Sequence, residues 1–318
     1  MNYKLERIAL EDIVTDNYTF CHRFKVELLE REDPLAVPIV LIKRKKYIIL
    51  SGFRRMLTII SQGKEKSIVA LIPSDSVSDK ALFSLSLEYN RNAVLSDIDR
   101  ACIVHKALDN FSFTKEQAVK SLSDICSVDR SWKMIERYAY AATLEDDIKE
   151  YCIRMRLGIK FCCALLDLSI DERQFFLKEI FSHVFFTESE MQQCADMINE
   201  LKVIEQCDLQ SLFSQEWCTT VLDNQDLTDK GRARLLLRGL WSMRNPYVAG
   251  LNEKVASVKK ALAFNNKLSF SAPDSFERNY YSLEMRFSTQ DEIKKSLNDL
   301  LSHIDVFNDV EQIMKVTK

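Results

Sequence analysis

Residues 74 to 245 contain no proline and only three glycines, Gly158, Gly231 and Gly239. A stretch that long without a backbone breaker reads as mostly helix, because proline removes an amide donor and clashes with the preceding turn. The whole chain of 318 residues holds 6 Gly and 5 Pro, well below the average usage of about 7% and 5%. Glycine this sparse leaves no place for a GxGxxG dinucleotide loop or a GxxxxGK[ST] phosphate cradle. Rossmann and P-loop chemistry are thereby excluded.

Nine cysteines form no CxxC pair, and their odd number without a leader peptide argues against a disulfide framework and for reduced cytosolic thiols. No run approaches the roughly 18 apolar residues of a membrane span. The expectation is a cytoplasmic protein with no membrane partner. Charge is unevenly spread: fourteen basic against twelve acidic residues in 1–90, fourteen against nineteen in 91–200, sixteen against sixteen in 201–318. A polyanion would have to be met by local clusters.

The first 73 residues alternate short apolar runs with polar turns. Val37 to Ile42 and Tyr47 to Leu50 predict two strands joined by the Lys43-Arg44-Lys45-Lys46 turn. Gly52 breaks the second strand, Arg54 to Gln62 has helical spacing, Gly63 suits a left-handed cap, and Ser67 to Ile72 predicts a third strand. From about Ser78 the period becomes helical. Leu82, Leu85 and Leu87 lead into Glu88; Ile98, Ala101, Cys102, His105 and Leu108 then share one face. Thr114 and Gln117 fit a capping box for a helix over Ala118 to Ile125. A polar break follows, and Arg130 to Tyr138 opens another helix, so the pair predicts a helix-turn-helix.

Residues 145–222 add amphipathic helices. Pro246 opens a helix with Val248, Leu251, Val255, Val258 and Leu262 on one face. Leu268 and Phe270, then Tyr281, Leu283, Met285 and Phe287, alternate with polar residues and predict a hairpin with one face buried. Thr289 and Glu292 cap a last helix with Ile293, Leu297, Leu300, Leu301 and Ile304. The class is α+β: a small α+β unit over 1–92, an all-α helix-turn-helix domain over 93–225, and an α-β-β-α unit over 226–318.

One constellation carries chemistry. In Tyr47 to Arg55 a strand, a glycine turn and two arginines converge on a helix start, where main-chain amides and guanidinium forks suit phosphate groups. Glu88 and Asn92 are four apart, so on a continuous helix they share a face, with Asn90 nearby as a further ligand. The four histidines are far apart, with no HExxH or Cys/His cluster to hold zinc. Arg130, Lys133 and Arg137, at offsets of three and four, would project from one side of the second helix toward a groove or phosphates.

These motifs resemble the ParB family of partition proteins, whose amino-terminal domain shares its fold with sulfiredoxin. Pro38-Ile39-Val40 stands where that family has its Pro-Ile-Val strand, and Gly52-Phe53-Arg54-Arg55 where it has Gly-Glu-Arg-Arg. Glu88, Leu95, Ile98 and Ala101 fall at the offsets of its next motif, and Arg130-Ser131 stands in for the Ser-Arg-Ser start of its recognition helix. The resemblance spans about residues 5 to 200.

The resemblance implies a cytoplasmic, nucleoid-associated protein that acts in chromosome or plasmid segregation or in transcriptional regulation. It would be a homodimer through its tail, bound to double-stranded DNA and able to meet a ParA-type ATPase. It further implies CTP with magnesium in the amino-terminal domain, on Gly52, Arg54, Arg55, Glu88 and Asn90, with Glu88 toward the metal. Duplex contacts would fall on Arg130, Ser131, Lys133 and Arg137. Departures from the motif speak against hydrolysis: Phe53 replaces the glutamate, Tyr89 the metal-facing asparagine, Asn92 the arginine, and Val37 a polar residue. The competing expectation is a nucleotide-dependent enzyme on the same scaffold, a kinase or nucleotidase, with Glu88 as metal ligand or base. Sulfiredoxin chemistry needs a cysteine in the Gly-x-Arg turn, where Phe53 stands.

Overall fold

The computed structural model describes residues 2–28, 38–74, 77–125, 129–261, 268–271, 282–302 and 304–306. The chain divides into two compact units, one of residues 1–182 with 186–195, the other of 183–185 with 196–318.

The first unit begins with a five-stranded sheet in the order β1-β5-β3-β4-β2. Its strands are β1 (Tyr3–Ala9), β2 (Ile13–Val14), β3 (Val40–Lys43), β4 (Tyr47–Ser51) and β5 (Ser67–Pro73). The expected hairpin is there: β3 and β4 run antiparallel with Lys43 opposite Tyr47, which leaves residues 44 to 46 as the turn. Val40, Leu41 and Ile42 are all buried, as a central strand covered on both faces requires. In β5, by contrast, Ile68, Ala70 and Ile72 point inward while Val69 is 47% exposed.

Helix α1 (Phe53–Gln62) lies between two left-handed glycines, Gly52 at φ 94° and Gly63 at φ 62°. Gly63 donates its amide to the Ile60 carbonyl, the αL closure expected of a glycine after the last turn. Then follow α2 (Asp79–Tyr89), α3 (Asp97–His105), α4 (Lys115–Ile125), α5 (Trp132–Ala141), α6 (Asp146–Arg154), α7 (Ile159–Leu166) and α8 (Ile170–Phe175). One π-helical turn continues α3 over Lys106–Asn110 and another continues α8 over Phe176–Ile180. Thr114 and Gln117 form the expected capping box, each side chain accepting from the other's amide at 3.3 and 3.0 Å. Helix α5 packs against α3, α4 and α7 through Ile135, Tyr138 and Ala141.

Helix α9 (Glu188–Glu205) runs from the first unit into the second. The second unit adds α10 (Leu209–Phe213), α11 (Glu216–Asp223), α12 (Asp229–Arg244), α13 (Pro246–Ala261), β6 (Leu268–Ser271), β7 (Ser282–Met285) and α14 (Gln290–Ser302). Strands β6 and β7 pair antiparallel, Leu268 opposite Met285, so the predicted hairpin forms. Its burial differs from expectation. Phe270 is buried, but Leu283 is 38% exposed, as are Leu297 at 44% and Leu301 at 65% on α14. Tyr281 and Leu262, also expected on these faces, lie outside the described residues. No helix among the described residues is long and apolar enough to cross a membrane.

Candidate functional site

The turn at Gly52 is built around the absence of a side chain. A Cβ there would lie 3.0 Å from Ile39 Cγ1 and 3.2 Å from Ile39 Cα, at a positive φ that L side chains seldom adopt. Helix α1 therefore starts hard against β3, and no side chain caps its first amides. Those amides and the positive end of the helix dipole suit an anion. Phe53, next in the motif, is buried and stacks on Tyr18 with ring centroids 6.0 Å apart. It closes the floor of the turn where an acid would have offered a carboxylate.

The nucleotide candidates do not all converge. Asn90 does come to the turn: its Nδ2 donates to Ser51 Oγ at 3.4 Å and to the Ser86 carbonyl at 2.7 Å. Arg54 Nε donates to the Glu27 carbonyl at 3.2 Å, and Arg55 is half-buried one position on. Glu88 sits elsewhere. It pairs with Arg91 at 3.8 Å and lines a hollow with Lys120 and Asp124 of α4. Tyr89 hydrogen-bonds the Tyr3 hydroxyl. The face shared by Glu88 and Asn92 does not exist, because α2 ends at Tyr89 with Asn90 as its C-cap. Asn92 lies in the turn beyond, where Ala93 donates to the Asn90 carbonyl. No cluster of three His, Cys, Asp or Glu that could hold a metal occurs among the described residues.

Arg54 opens instead on a cleft of about 720 Å³ whose lining mixes the cations Arg23, Lys25 and Arg154 with the carboxylates Glu27, Asp99, Asp147 and Glu150, a size usual for small-molecule sites. One wall is an irregular segment, Tyr18 to Lys25, to which the sequence assigned no site. It is pinned at Tyr18 and at each residue from Cys21 to Lys25. Lys106 Nζ donates to the Tyr18 and Cys21 carbonyls, both at 2.9 Å. His22 Nε2 meets Ser86 Oγ at 2.9 Å. Asp99 accepts from Arg23 Nη1 at 3.2 Å, the Phe24 amide at 2.8 Å and the Ser96 amide at 3.0 Å. Lys149 stands 5.3 Å over the Phe24 ring, and Lys25 pairs with Glu150 at 2.8 Å. Burial lowers the pKa of Lys106 and raises that of the Cys21 thiol.

The duplex candidates fall at the start of α5. Ser131 is its N-cap, its hydroxyl accepting from the Met134 amide at 3.2 Å, and Lys133 is exposed. Arg130 is exposed too, but its guanidinium is held by Asp124 of α4 at 2.7 Å. Arg137 departs from the common face: it is half-buried, with Nη1 3.7 Å from Met134 Sδ, and its carbonyl accepts from the Cys163 thiol at 3.8 Å. Trp132 is half-buried under Lys115, whose Nζ lies 4.8 Å from the ring centroid.

Sheet unit and helical body thus define an α+β protein with a glycine-arginine turn beside a charged cleft and a capped helix start bearing cations. Among the solved structures similar to it are two of the C-terminally truncated chromosome-partitioning protein ParB from Caulobacter crescentus. The one complexed to the centromeric parS site is 14% identical, with 60% of this chain and 98% of that chain covered and a TM-score of 0.31. The one complexed with CTP-γ-S is 16% identical over 56% and 98%, with a TM-score of 0.21. No family model and no curated protein sequence matches the chain.

Proposed function

We propose that this chain is a ParB-like DNA-binding protein of segregation or gene regulation, in which α4 and α5 form a helix-turn-helix and the cleft beside Arg54 takes a nucleoside triphosphate. The observation that carries the reading is the start of α5, where Ser131 caps the helix and Arg130 and Lys133 are exposed, while Ile135, Tyr138 and Ala141 are buried on the side packed by α3, α4 and α7. A recognition helix needs that combination of rigid body and exposed first turn. In this proposal the tail pairs two copies, which would set two such helices on a two-fold site, and a ParA-type ATPase is the expected motor.

Duplex binding is expected to weaken with salt and to fall by about tenfold or more in Arg130→Ala/Lys133→Ala, the scale of removing two cations that touch phosphates or bases. Fluorescence anisotropy against a duplex library reads this out, and an unchanged affinity would sink the assignment of α5. Freeing Arg130 from Asp124 is a small cost, since exposed ion pairs contribute roughly 0 to 1 kcal/mol.

For the cleft, CTP fits what is present. Arg54 lines the cleft, the first amides of α1 and Arg55 at the glycine turn beside it would hold phosphates, and Asn90 orients that turn through Ser51. Magnesium does not fit at this turn, because Glu88 faces a separate hollow beside α4 and no group of three His, Cys, Asp or Glu that could hold a metal occurs among the described residues. CTP in millimolar excess should raise the melting temperature of the wild type by several degrees through linkage. Arg54→Ala should abolish the rise, and a rise that survives the substitution places the nucleotide elsewhere.

A further inference from the structure

The sheet of the first unit has two edges that differ in kind. On one side β2 is two residues long, a short edge of the sort that resists pairing. On the other, β1 runs seven residues from Tyr3 to Ala9 with no proline and an unbroken register against β5. An edge strand of that length offers a row of backbone donors and acceptors to another strand.

Which groups β1 offers follows from its ladder. At the two ends the Leu10 amide donates to the Lys66 carbonyl at 3.0 Å and the Ser74 amide to the Asn2 carbonyl at 2.9 Å, so the even-numbered residues turn their backbone toward β5. In an antiparallel ladder the alternate residues turn theirs away, which sets the amides and carbonyls of Leu5 and Arg7 along the outer edge. No described strand pairs there. Side chains alternate between the two faces of the sheet. Leu5, 67% exposed, shares one face with the exposed Val69 of β5. Lys4 and Glu6 share the other, and neither has an ion pair among the described residues.

We infer that β1 is a self-pairing edge: two copies of this chain join β1 to β1, antiparallel about a two-fold axis at Leu5, and their sheets become one. Charge selects that register. With Lys4, Glu6 or Arg7 on the axis, a charge stands directly opposite its own copy, which is destabilising. With Leu5 on the axis, Lys4 stands opposite Glu6 of the second copy and Glu6 opposite its Lys4, so the symmetric contact supplies both counter-charges. The two Leu5 residues form a hydrogen-bonded pair, amide to carbonyl in both directions. Leu71, opposite Leu5 on β5, extends the apolar row across four strands. A foreign strand would have to bring the same alternation of acid, apolar residue and base; a second copy carries it already. The edge shares no residue with the tail or with α5, and its pairing does not depend on the DNA-binding reading.

Full-length Leu5→Cys places a thiol on the proposed axis, where paired Cα atoms about 5.5 Å apart suit a disulfide. Circular dichroism checks the fold. Oxidation with diamide should give a covalent dimer, and peptide mass spectrometry should find its bond between the two copies of position 5 rather than at any of the nine native cysteines. On that background Lys4→Glu or Glu6→Lys alone should cut the yield about tenfold, as two attractive cross-strand pairs become two repulsive ones. Both substitutions together should restore it. Absence of that disulfide overturns the pairing. So does a yield indifferent to the charge reversals, the result expected if the tail alone held the copies close. A double reversal that fails to restore the yield overturns the register at Leu5.

Discussion

Asp99→Asn should destabilise the first unit by about 3 kcal/mol, the scale expected when a buried charge network loses its acceptor. The Asp99 side chain is 5% exposed and gathers three donors onto two oxygens: Phe24 N–H on Oδ1, Ser96 N–H and Arg23 Nη1 on Oδ2. Asparagine keeps the shape and one acceptor oxygen. Its amide nitrogen, however, must then face either the Phe24 amide or the Ser96 amide together with Arg23. A donor against a donor leaves buried N–H groups unpaired, and Arg23, 27% exposed, loses its counter-charge. The same residue completes the capping box of α3 with Ser96, so the cap fails with the network.

Urea unfolding should show the first transition shifted to lower denaturant with its slope retained, which separates lost stability from a changed unfolded state. Hydrogen exchange locates the effect: the amides of Phe24 and Ser96 should lose protection before those of β3 and β4, because local opening starts where the pins are. An unmoved first transition would mean that Asp99 is a bystander to the segment it touches. The cleft beside Arg54, where a nucleotide is proposed to bind, supplies a functional readout, since Arg23 and Lys25 reach it from the same segment.

How much of this was visible in the sequence follows from distance along the chain. Gly52 and Gly63 bracket α1 because a left-handed residue at each end is a local demand, and local demands leave local marks. The Thr114–Gln117 box and the β3–β4 turn are legible for the same reason. Strand β2 is two residues long and exists because Ile13 and Val14 lie parallel to Tyr47 and Ile48. Nothing near Ile13 announces that partner. The segment around His22 is invisible on the same ground, its ties reaching 64 to 76 positions away to Ser86 and Asp99.

The site itself split along this line. Gly52 and Arg54 could be placed because they share one turn with the strand before it. The pairing of Glu88 with Asn92 assumed a helix continuing past Tyr89, and the stop there is set by Asn90, whose side chain turns back to the Ser86 carbonyl and across to Ser51. Arg137 is less exposed than Lys133 four positions before it, its guanidinium lying 3.7 Å from Met134 Sδ on the same helix. Periodicity sorts Leu283 and Met285 to one side of β7 but says nothing of what lies against it, which is why Leu283 alternates as a buried residue should and is still 38% exposed.

Lowering the pH from 6.5 toward 4 should cost the protein close to 1.4 kcal/mol of stability per pH unit on account of His22 alone. Burial, with the nearby Lys106 charge adding to it, depresses its pKa from 6.5 to about 3 in the folded state. Below 6.5 the unfolded chain takes a proton that the native imidazole refuses, so the unfolded state gains and stability is lost as pH falls toward the folded value. Above 6.5 neither state is protonated and the contribution is fully present. Geometry explains the refusal. Ser86 Oγ donates to the Phe83 carbonyl at 2.7 Å, so it must accept from His22 Nε2–H, which leaves Nδ1 as the bare nitrogen. Nδ1 is buried and has no hydrogen-bond partner among the described residues; a proton placed there would have no acceptor and would stand in the field of Lys106. The test is a difference between the wild type and a variant that cannot titrate at this position. Urea midpoints are taken at pH 7, 6, 5 and 4 for the wild type and for His22→Gln, which can still donate to Ser86 but cannot titrate. The wild-type curve should be steeper by close to one proton, and parallel curves would show that His22 is not the group responsible. Protonation requires the imidazole to leave its place against Ser86, so hydrogen exchange should also find residues 18 to 25 opening at pH 5 in the wild type while β3 and β4 stay closed.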